Sequence, residues 1–443
     1  MRLAFKILTV AALTLALLLP LTMVRETVHD RQQHQKAAVD TVARSTAGAQ
    51  TIAGPVLYVP YVDRITVLEA PAGGVPRPIL REKSGTWVYF PGTLDVRGTL
   101  RPTPRRLGLH EVRLYELDAR VRASFRVQIP VDEDPASPRT IGTPRLGFGI
   151  SDVRGLVGVP ALSVDGRPRT LRQGTGSAEG SGLHATLETP AAGTMVTFDV
   201  ELRAALQGTE TLSIVPVAGR NDILLDSPWP HPQFLGDFLP RMRETSAQGF
   251  RARWEISALA STAQARLGDA RTGAAGRRPA DVISVSLVDP VDLYTQVDRA
   301  TKYGVLFVLL TFIVFFMFEF LKQLRIHPIQ YVLVGLAIAS FFLLLLALSE
   351  HLSFGTSYLA AAAACVVLVG CYLQSVLGGW RRGLGVAALL GTLYGALYGV
   401  LSSEDNALLM GAGLLFIVLS ALMLLTRKVD WYRAAAGTGA PPP

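Results

Sequence analysis

Cysteine is almost absent. The chain of 443 residues has two, Cys365 and Cys371, both inside one apolar segment. Six residues apart on a helix, they point to different faces and sit about 9 Å apart along the axis, too far to bond each other. The polar stretch 25–302 has no cysteine, so it must stand on a hydrophobic core, and it is long enough to build one. Charge is also scarce, at 18% of residues against 49% hydrophobic. Several chemical signatures are missing. No glycine-rich loop ends in Lys-Ser or Lys-Thr, which excludes a nucleotide-binding P-loop. No Gly-x-Ser-x-Gly occurs, which excludes a nucleophile elbow. His110-Glu111 opens a zinc-protease motif, but Leu114 stands where the second His belongs. His29 and His34 are five apart, off the i, i+4 spacing that puts two ligands on one helix face. Glu26, Asp30 and His34 do share a face, which reads as a solvated one. No cofactor and no metal is expected. The formal net charge is +8, but the Arg residues of the polar stretch are scattered rather than clustered, which gives no footprint for nucleic acid.

What is present is apolar length. A hydrocarbon core needs about 20 helical residues, and six runs supply them: 3–24, 303–321, 330–349, 355–377, 383–401 and 407–426. One lies at the start and five in the last third. Arg2 and Lys6 precede the first run, as in a signal peptide, but no small-x-small cleavage pattern follows, so the run reads as an uncleaved anchor. The short connections give a direction. Lys322 and Arg325, Arg381 and Arg382, and Arg427, Lys428 and Arg433 mark one side. The connections 350–354 and 402–406 carry no Lys or Arg. The positive-inside rule then places both termini in the cytoplasm and the polar stretch outside.

Within that stretch, residues 25–50 read as a polar helix with Val28, Val39 and Val42 as a thin apolar stripe, broken at Gly54-Pro55. Alternation of period two then predicts strands at 56–67, 119–130, 194–203, 250–256 and 281–289. Turn residues separate them: Pro91-Gly92, Asp165-Gly166, 180–182 and 227–232. Residues 266–279, rich in Ala, Gly and Arg, read as a loop. Asp289-Pro290 is placed to start a helix that runs on into the second apolar segment.

Ionisable residues near membrane spans are costly and invite a functional reading. Glu319 lies near the inner end of the second run, within reach of Lys322 or Arg325. Glu350-His351 and Glu404-Asp405 follow the third and fifth runs and fall on the outer side, where they could form one cluster. Gly391, Gly395 and Gly399 recur every fourth residue of the fifth run. That spacing lets helices approach closely, and packing within the bundle is expected, with a homodimer face as the second reading. Trp229-Pro230-His231-Pro232 is a stiff aromatic turn that fixes a loop or receives a ligand.

Several motifs together resemble the CreD family of bacterial inner-membrane proteins over nearly the whole chain. They include Gln50-Thr51-Ile52-Ala53-Gly54-Pro55, Ser227-Pro228-Trp229-Pro230-His231-Pro232 and Gly249-Phe250-Arg251-Ala252-Arg253-Trp254. The most specific block runs from Pro290-Val291-Asp292-Leu293-Tyr294 through Arg299-Ala300-Thr301-Lys302-Tyr303-Gly304 to His327-Pro328-Ile329-Gln330-Tyr331. Ser349-Glu350-His351, Glu404-Asp405-Asn406 and Arg427-Lys428-Val429-Asp430-Trp431-Tyr432 complete the set. The sequence departs from the family pattern at residues 106–110 and at Gln233. The resemblance implies a role in envelope integrity and stress, under a two-component regulatory system, and it carries over no catalytic residue.

The expected architecture is an α+β membrane protein with six transmembrane helices and a large antiparallel β-sandwich-like periplasmic domain. Its parts are an anchor at 1–24, the β-rich domain at 25–302, a five-helix bundle at 303–432 and a disordered tail at 433–443. The expected partners are the bilayer and an envelope protein or ligand. The expected function is non-enzymatic, with the periplasmic domain binding an envelope component. Two other functions compete with it. One is a small-solute or proton-coupled transporter or channel formed by the bundle. The other is a surface enzyme using Glu350, His351, Glu404 and Asp405.

Overall fold

A computed structural model describes residues 2–69, 77–108, 110–131, 139–177, 180–269, 281–287, 293–322, 327–376, 379–402 and 407–427. The chain forms two compact units: Met1–Gln35 with Val291–Pro443, and Lys36–Pro290. The helices are α1 (Arg2–Ala16), α2 (Leu18–Ser45), α3 (Ala263–Asp269), α4 (Leu293–Lys322), α5 (Pro328–Ser349), α6 (Phe354–Val376), α7 (Trp380–Ser402) and α8 (Ala407–Thr426). The break between α1 and α2 at Leu17 has a local cause. Pro20 has no N–H for the Ala16 carbonyl, and its ring crowds that carbonyl. The helix N-terminus of α5 is closed by a capping box in which the His327 ring accepts from the Ile329 N–H and Gln330 caps the His327 N–H; Pro328 at its first position is preset for a helix.

Among the described residues, four helical stretches are long and apolar enough to cross a bilayer: Ala11–Ser45, Pro328–Ser349, Phe354–Val376 and Trp380–Ser402. The other two of the six expected runs fall on α4 and α8, both of which contain side chains outside the described set. Leu17 at the break and Leu21, Val24 and Val28 of α2 join Val297, Phe307 and Phe312 of α4 and Ile338, Phe342 and Leu345 of α5 in one buried cluster. Small residues allow the close approaches. A Cβ on Gly335 would collide with the Leu17 side chain. One on Gly383 of α7 would lie 2.9 Å from Cα of Gln374 on α6. In lipid such packing takes the place of the hydrophobic drive.

The second unit is built from strands β1 (Gln50–Glu69), β2 (Arg77–Tyr89), β3 (Thr93–Leu107), β4 (His110–Gln128), β5 (Thr140–Ile141), β6 (Arg145–Ile150), β7 (Leu156–Val164), β8 (Arg167–Arg169) and β9 (Arg172–Gln173). It continues with β10 (Gly182–Thr186), β11 (Met195–Thr209), β12 (Thr211–Val215), β13 (Arg220–Ser227), β14 (Gln233–Gly236), β15 (Met242–Ser246), β16 (Gly249–Ser257) and β17 (Ile283–Ser286). Among the described residues these make two sheets. The first has the order β14-β17-β12-β1-β6-β10-β9, with β2 and β5 also paired to β1; the second has the order β15-β16-β13-β3-β4-β11-β7-β8. Alternate residues of β4 (Val121, Ala123, Phe125, Val127) and of β11 (Phe198, Val200, Leu202) are buried in one core shared with Leu57, Val59, Leu146 and Phe148 of the first sheet. Burial of every second side chain fixes register, because a one-residue slip would turn the apolar set outward.

Three expectations need correction. The sheets are not purely antiparallel: β1 pairs with β12 and β3 pairs with β13 in parallel. Alternation names the buried face of a strand but not its neighbour, so it could not distinguish the two arrangements. The polar helix does not reach Gly54-Pro55. It ends at Ser45, and Gly54 and the cis-linked Pro55 form a register shift inside β1 opposite β6. Gly54 sits at φ 113, with the Gly147 carbonyl oxygen 2.9 Å from any added Cβ, so only glycine suits the position. The Ala- and Arg-rich stretch beginning at residue 266 is helical up to Asp269 as the end of α3. The Asp289-Pro290 helix start and the tail at 433–443 lie outside the described residues.

The apolar stripe of the polar helix divides between the units. Val28 is buried in the helical unit. Ala38, Val42 and partly buried Val39 pack on Val112 and Leu114 of β4. The chain passes from the second sheet to the first through one residue, Glu210, at φ 60. There the Thr209 N–H donates to the Gly48 carbonyl (3.1 Å), and the Leu287 N–H donates to the Glu210 carbonyl (2.8 Å).

Candidate functional site

At the C-terminal end of α5, consecutive residues part company. The Glu350 side chain is 10% exposed and lies 3.3 Å from Nε of Arg31 on α2, whereas His351 is exposed. Ser349 Oγ, Ser357 Oγ and Glu350 Oε1 are buried without a hydrogen-bond partner. Arg25 of α2 (3.5 Å) and Lys302 of α4 (2.7 Å) share Asp298. Glu350 is thus drawn to Arg31, and the exposed His351 takes no part in that pair. Glu319, Glu404 and Asp405 lie outside the described side chains. Arg31 was missed, because only the fold carries α2 to the end of α5.

The glycine spacing also needs revision. A Cβ on Gly391 or Gly395 would meet no described atom within 4 Å, and one on Gly399 would reach only Met410 Cε, at 3.4 Å. Gly391 and Gly395 thus face away from the described neighbours of α7. The close approaches fall instead at Gly335, Gly370 and Gly383, which follow no regular spacing. Between the helices, aromatic rings fill the space. Tyr394 lies 4.5 Å from Phe307 and 4.7 Å from Phe341, and Phe341 lies 5.3 Å from Tyr358. Tyr358 donates to the Tyr394 carbonyl (2.7 Å), Tyr394 to Cys365 Sγ (3.0 Å) and Cys365 to the Ala337 carbonyl (3.4 Å). Cys365 is buried and Cys371 exposed.

In the β-rich unit, one face of the second sheet carries a ladder of ion pairs. Arg253 binds Asp222 through both oxygens (3.0 and 2.5 Å), and Arg97 binds Asp95 likewise (3.0 and 2.6 Å). Glu201 accepts from Arg203 and Arg120, both at 2.9 Å. The Arg253 hydrogen bond holds the Asp222 carboxyl below the usual range, and Arg203 does the same for Glu201. Burial pushes Glu210 the other way, with Arg113 opposing. The aromatic turn is anchored rather than open. Trp229 donates to the His231 carbonyl (2.8 Å), and the Arg113 guanidinium sits 3.8 Å from its ring centre.

Between the two sheets of this unit is a cavity of about 360 Å³. Its floor is apolar: Leu57 and Val59 from β1, Val164 from β7, Phe198 from β11, and Ile129 beyond β4. Its rim carries Arg167 and Arg169, with Glu188 and Asp165. Arg169 Nη2 donates to Glu188 Oε1 at 3.3 Å, while its buried Nε has no acceptor. Nothing in the sequence marks this cavity, since its walls come from six separated stretches. Among the described residues no group of three or more His, Cys, Asp or Glu is placed to hold a metal ion. His110 and Glu111 begin a strand, not the helix that a zinc-protease motif requires.

The family model for inner membrane protein CreD matches residues 2–432. Inner membrane protein CreD of Escherichia coli (strain K12) is 36% identical over 421 residues, which cover 94% of this chain and 91% of that one. Among solved structures, the M1 zinc metallopeptidase from Deinococcus radiodurans aligns at TM-score 0.20 and 9% identity over 44% of this chain and 41% of that one. A mutant of the same peptidase gives TM-score 0.23, also at 9% identity, over 44% and 42%. The chain thus spans less than half of those structures, and likeness at that level carries no argument about fold or activity.

Proposed function

Because the chain belongs to the CreD family of inner membrane proteins, we propose that it supports the integrity of the cell envelope as a non-enzymatic protein whose β-rich unit binds an envelope component. Its apolar helices hold that unit at the bilayer, with both termini in the cytoplasm and the β-rich unit in the periplasm. The Lys and Arg residues of alternate short connections support this orientation. The helical unit serves as an anchor. Its interior is occupied by Phe307, Phe341, Tyr358 and Tyr394 in mutual contact, which favours a packed bundle over a passage.

The observation that carries the binding role is the cavity between the sheets, where apolar side chains of both sheets meet two arginines and two acids at the lip, a concave site that combines apolar contact with polar groups able to orient a ligand. The test is a photoreactive amino acid placed at Leu187, a partly buried side chain that lines that cavity, in the full chain in intact cells. The expected result is a defined adduct with an envelope component, identified by mass spectrometry. A photoreactive residue at Arg241, an exposed position outside the cavity, gives the background. Equal adducts from both positions would remove the binding role.

A further inference from the structure

We infer that the cavity between the sheets is a site for a single-chain amphipathic anion, an acyl chain carrying a carboxylate or phosphate head. The inference rests on the binding role proposed above and names the chemistry of its ligand. Four observations lead to it. The floor offers apolar side chains from both sheets: Leu57, Val59, Val164 and Phe198 favour hydrocarbon. The volume of about 360 Å³ lies at the low end of ligand pockets, roughly 300–1,000 Å³, which suits one chain rather than two.

The third observation is at the lip. The Arg169 Nε–H is buried without an acceptor, and an unmade bond of that kind is destabilising. A guanidinium presents its N–H groups as a planar fork that fits a carboxylate or phosphate. The fourth is that the acidic groups at the lip do not close the site against an anion. Glu188, the partner of Arg169, is 84% exposed, so their pairing is weak and screened. Asp165 already accepts the Asp199 N–H at 2.8 Å. Arg167 adds a second cation at the same lip. An anionic head that takes the place of Glu188 on the Arg169 guanidinium would lay its tail over Val196 and Phe198.

The test uses the full chain in lipid nanodiscs, with empty nanodiscs as the background. A dansylated undecanoic acid is titrated and its fluorescence followed. The wild type should bind saturably above background. Arg169→Gln should weaken binding about tenfold, the value of one charge-assisted bond of roughly 1.4 kcal/mol. Val196→Trp, which puts an indole into the cavity, should abolish it. If that variant has a lowered melting temperature, Leu187→Trp at the edge of the cavity replaces it. Arg241→Gln, outside the cavity, should leave binding unchanged.

Competition separates the sources. Dodecanoate and a lysophosphatidate of equal chain length should displace the probe, and the better competitor identifies the head group. Dodecanol should compete at least tenfold less well than either anion. Displacement by dodecanol as good as by the anions, or wild-type binding by Arg169→Gln, overturns the inference. So does a saturable signal that survives both tryptophan variants. A peptide or glycan adduct at Leu187 in cells, with no saturable binding of the probe, would retain the binding role and eliminate the amphiphile. Absence of both adduct and binding would remove both.

Discussion

The two units satisfy buried polarity by different means. In the β-rich unit, fully buried polar side chains are locked. Gln50 donates to the Asp152 and Gln207 carbonyls (2.9 and 3.1 Å) and accepts from Ser151 Oγ and the Asp152 N–H (3.0 and 3.2 Å). Asn221 accepts from the Ala218 N–H and donates to the Ala218 and Ile256 carbonyls (2.8–3.0 Å). In the helical unit, Ser349, Glu350 and Ser357 keep buried oxygens without hydrogen bonds. The difference follows from backbone supply. A strand corner exposes unpaired backbone groups that a side chain can satisfy, so polarity there specifies the sheet. A helix has already paired its own backbone, so a buried hydroxyl on it shares the carbonyl one turn back, as Thr301 and Thr311 do with Val297 and Phe307 (2.9 and 2.8 Å), finds a partner on another helix or goes without.

The comparison is sharpest at Gln50. Gln50→Leu should strip partners from two carbonyls and an N–H at once and destabilise the β-rich unit by about 3–5 kcal/mol, read as a fall in the denaturation midpoint. If the loss were under about 1 kcal/mol, the polar lock would be dispensable and the contrast between the units would fail. Next comes Arg31→Gln, which leaves the Glu350 carboxylate largely buried and unpaired. Because Arg31 is itself 42% exposed, the expected cost is about 1–2 kcal/mol, below that of a fully buried pair. Adding Glu350→Gln should restore part of it, and additive losses in the double variant would deny the coupling.

The glycines give a paired test of similar size. Gly383→Ala meets the Gln374 backbone and should cost about 1–3 kcal/mol. Gly395→Ala meets no described atom and should be neutral or stabilising by up to about 1 kcal/mol. Equal effects on thermal stability would contradict the packing described for α7. The smallest effect is electrostatic. Asp222, Asp152 and Asp281 have lowered folded values, chiefly through Arg253, Arg154 and the Thr262 N–H respectively. Their contribution is present above the unfolded carboxylate value of about 3.9 and is lost as pH falls through the lower folded values. Glu210, raised by burial, has the opposite sign. Its contribution is present below the unfolded value of about 4.3 and lost as pH rises through the folded one. The melting temperature of the β-rich unit should therefore drop below about pH 4, and Glu210→Gln should raise it slightly at neutral pH.

The amount legible beforehand differs by element. The strands containing Phe125, Phe198 and Trp254 show in the sequence because each buries every second residue. The single-residue crossing at Glu210 does not show, because a charged residue at positive φ looks like any other polar turn. Of the candidate residues, Glu350 was visible as an acid beside an apolar run. That it turns inward to Arg31 while His351 turns out depends on where α2 lies. Arg167 and Arg169 were visible only as arginines on a strand edge, because a cavity wall made from β1, β7, β8 and β11 has no sequence spacing.

The sequence by itself determined which stretches are apolar enough to seek a bilayer, which strands have a buried face and which family the chain resembles. These are local properties, set by the roughly 20-residue demand of the hydrocarbon core and the two-residue period of a pleated strand. Tertiary structure alone decided the two parallel pairings, the choice of Gly335 and Gly383 over the regular glycine series, the Arg31–Glu350 pair and the cavity under Arg169. Each of these depends on groups far apart in the chain, and only the folded backbone sets the distance between them.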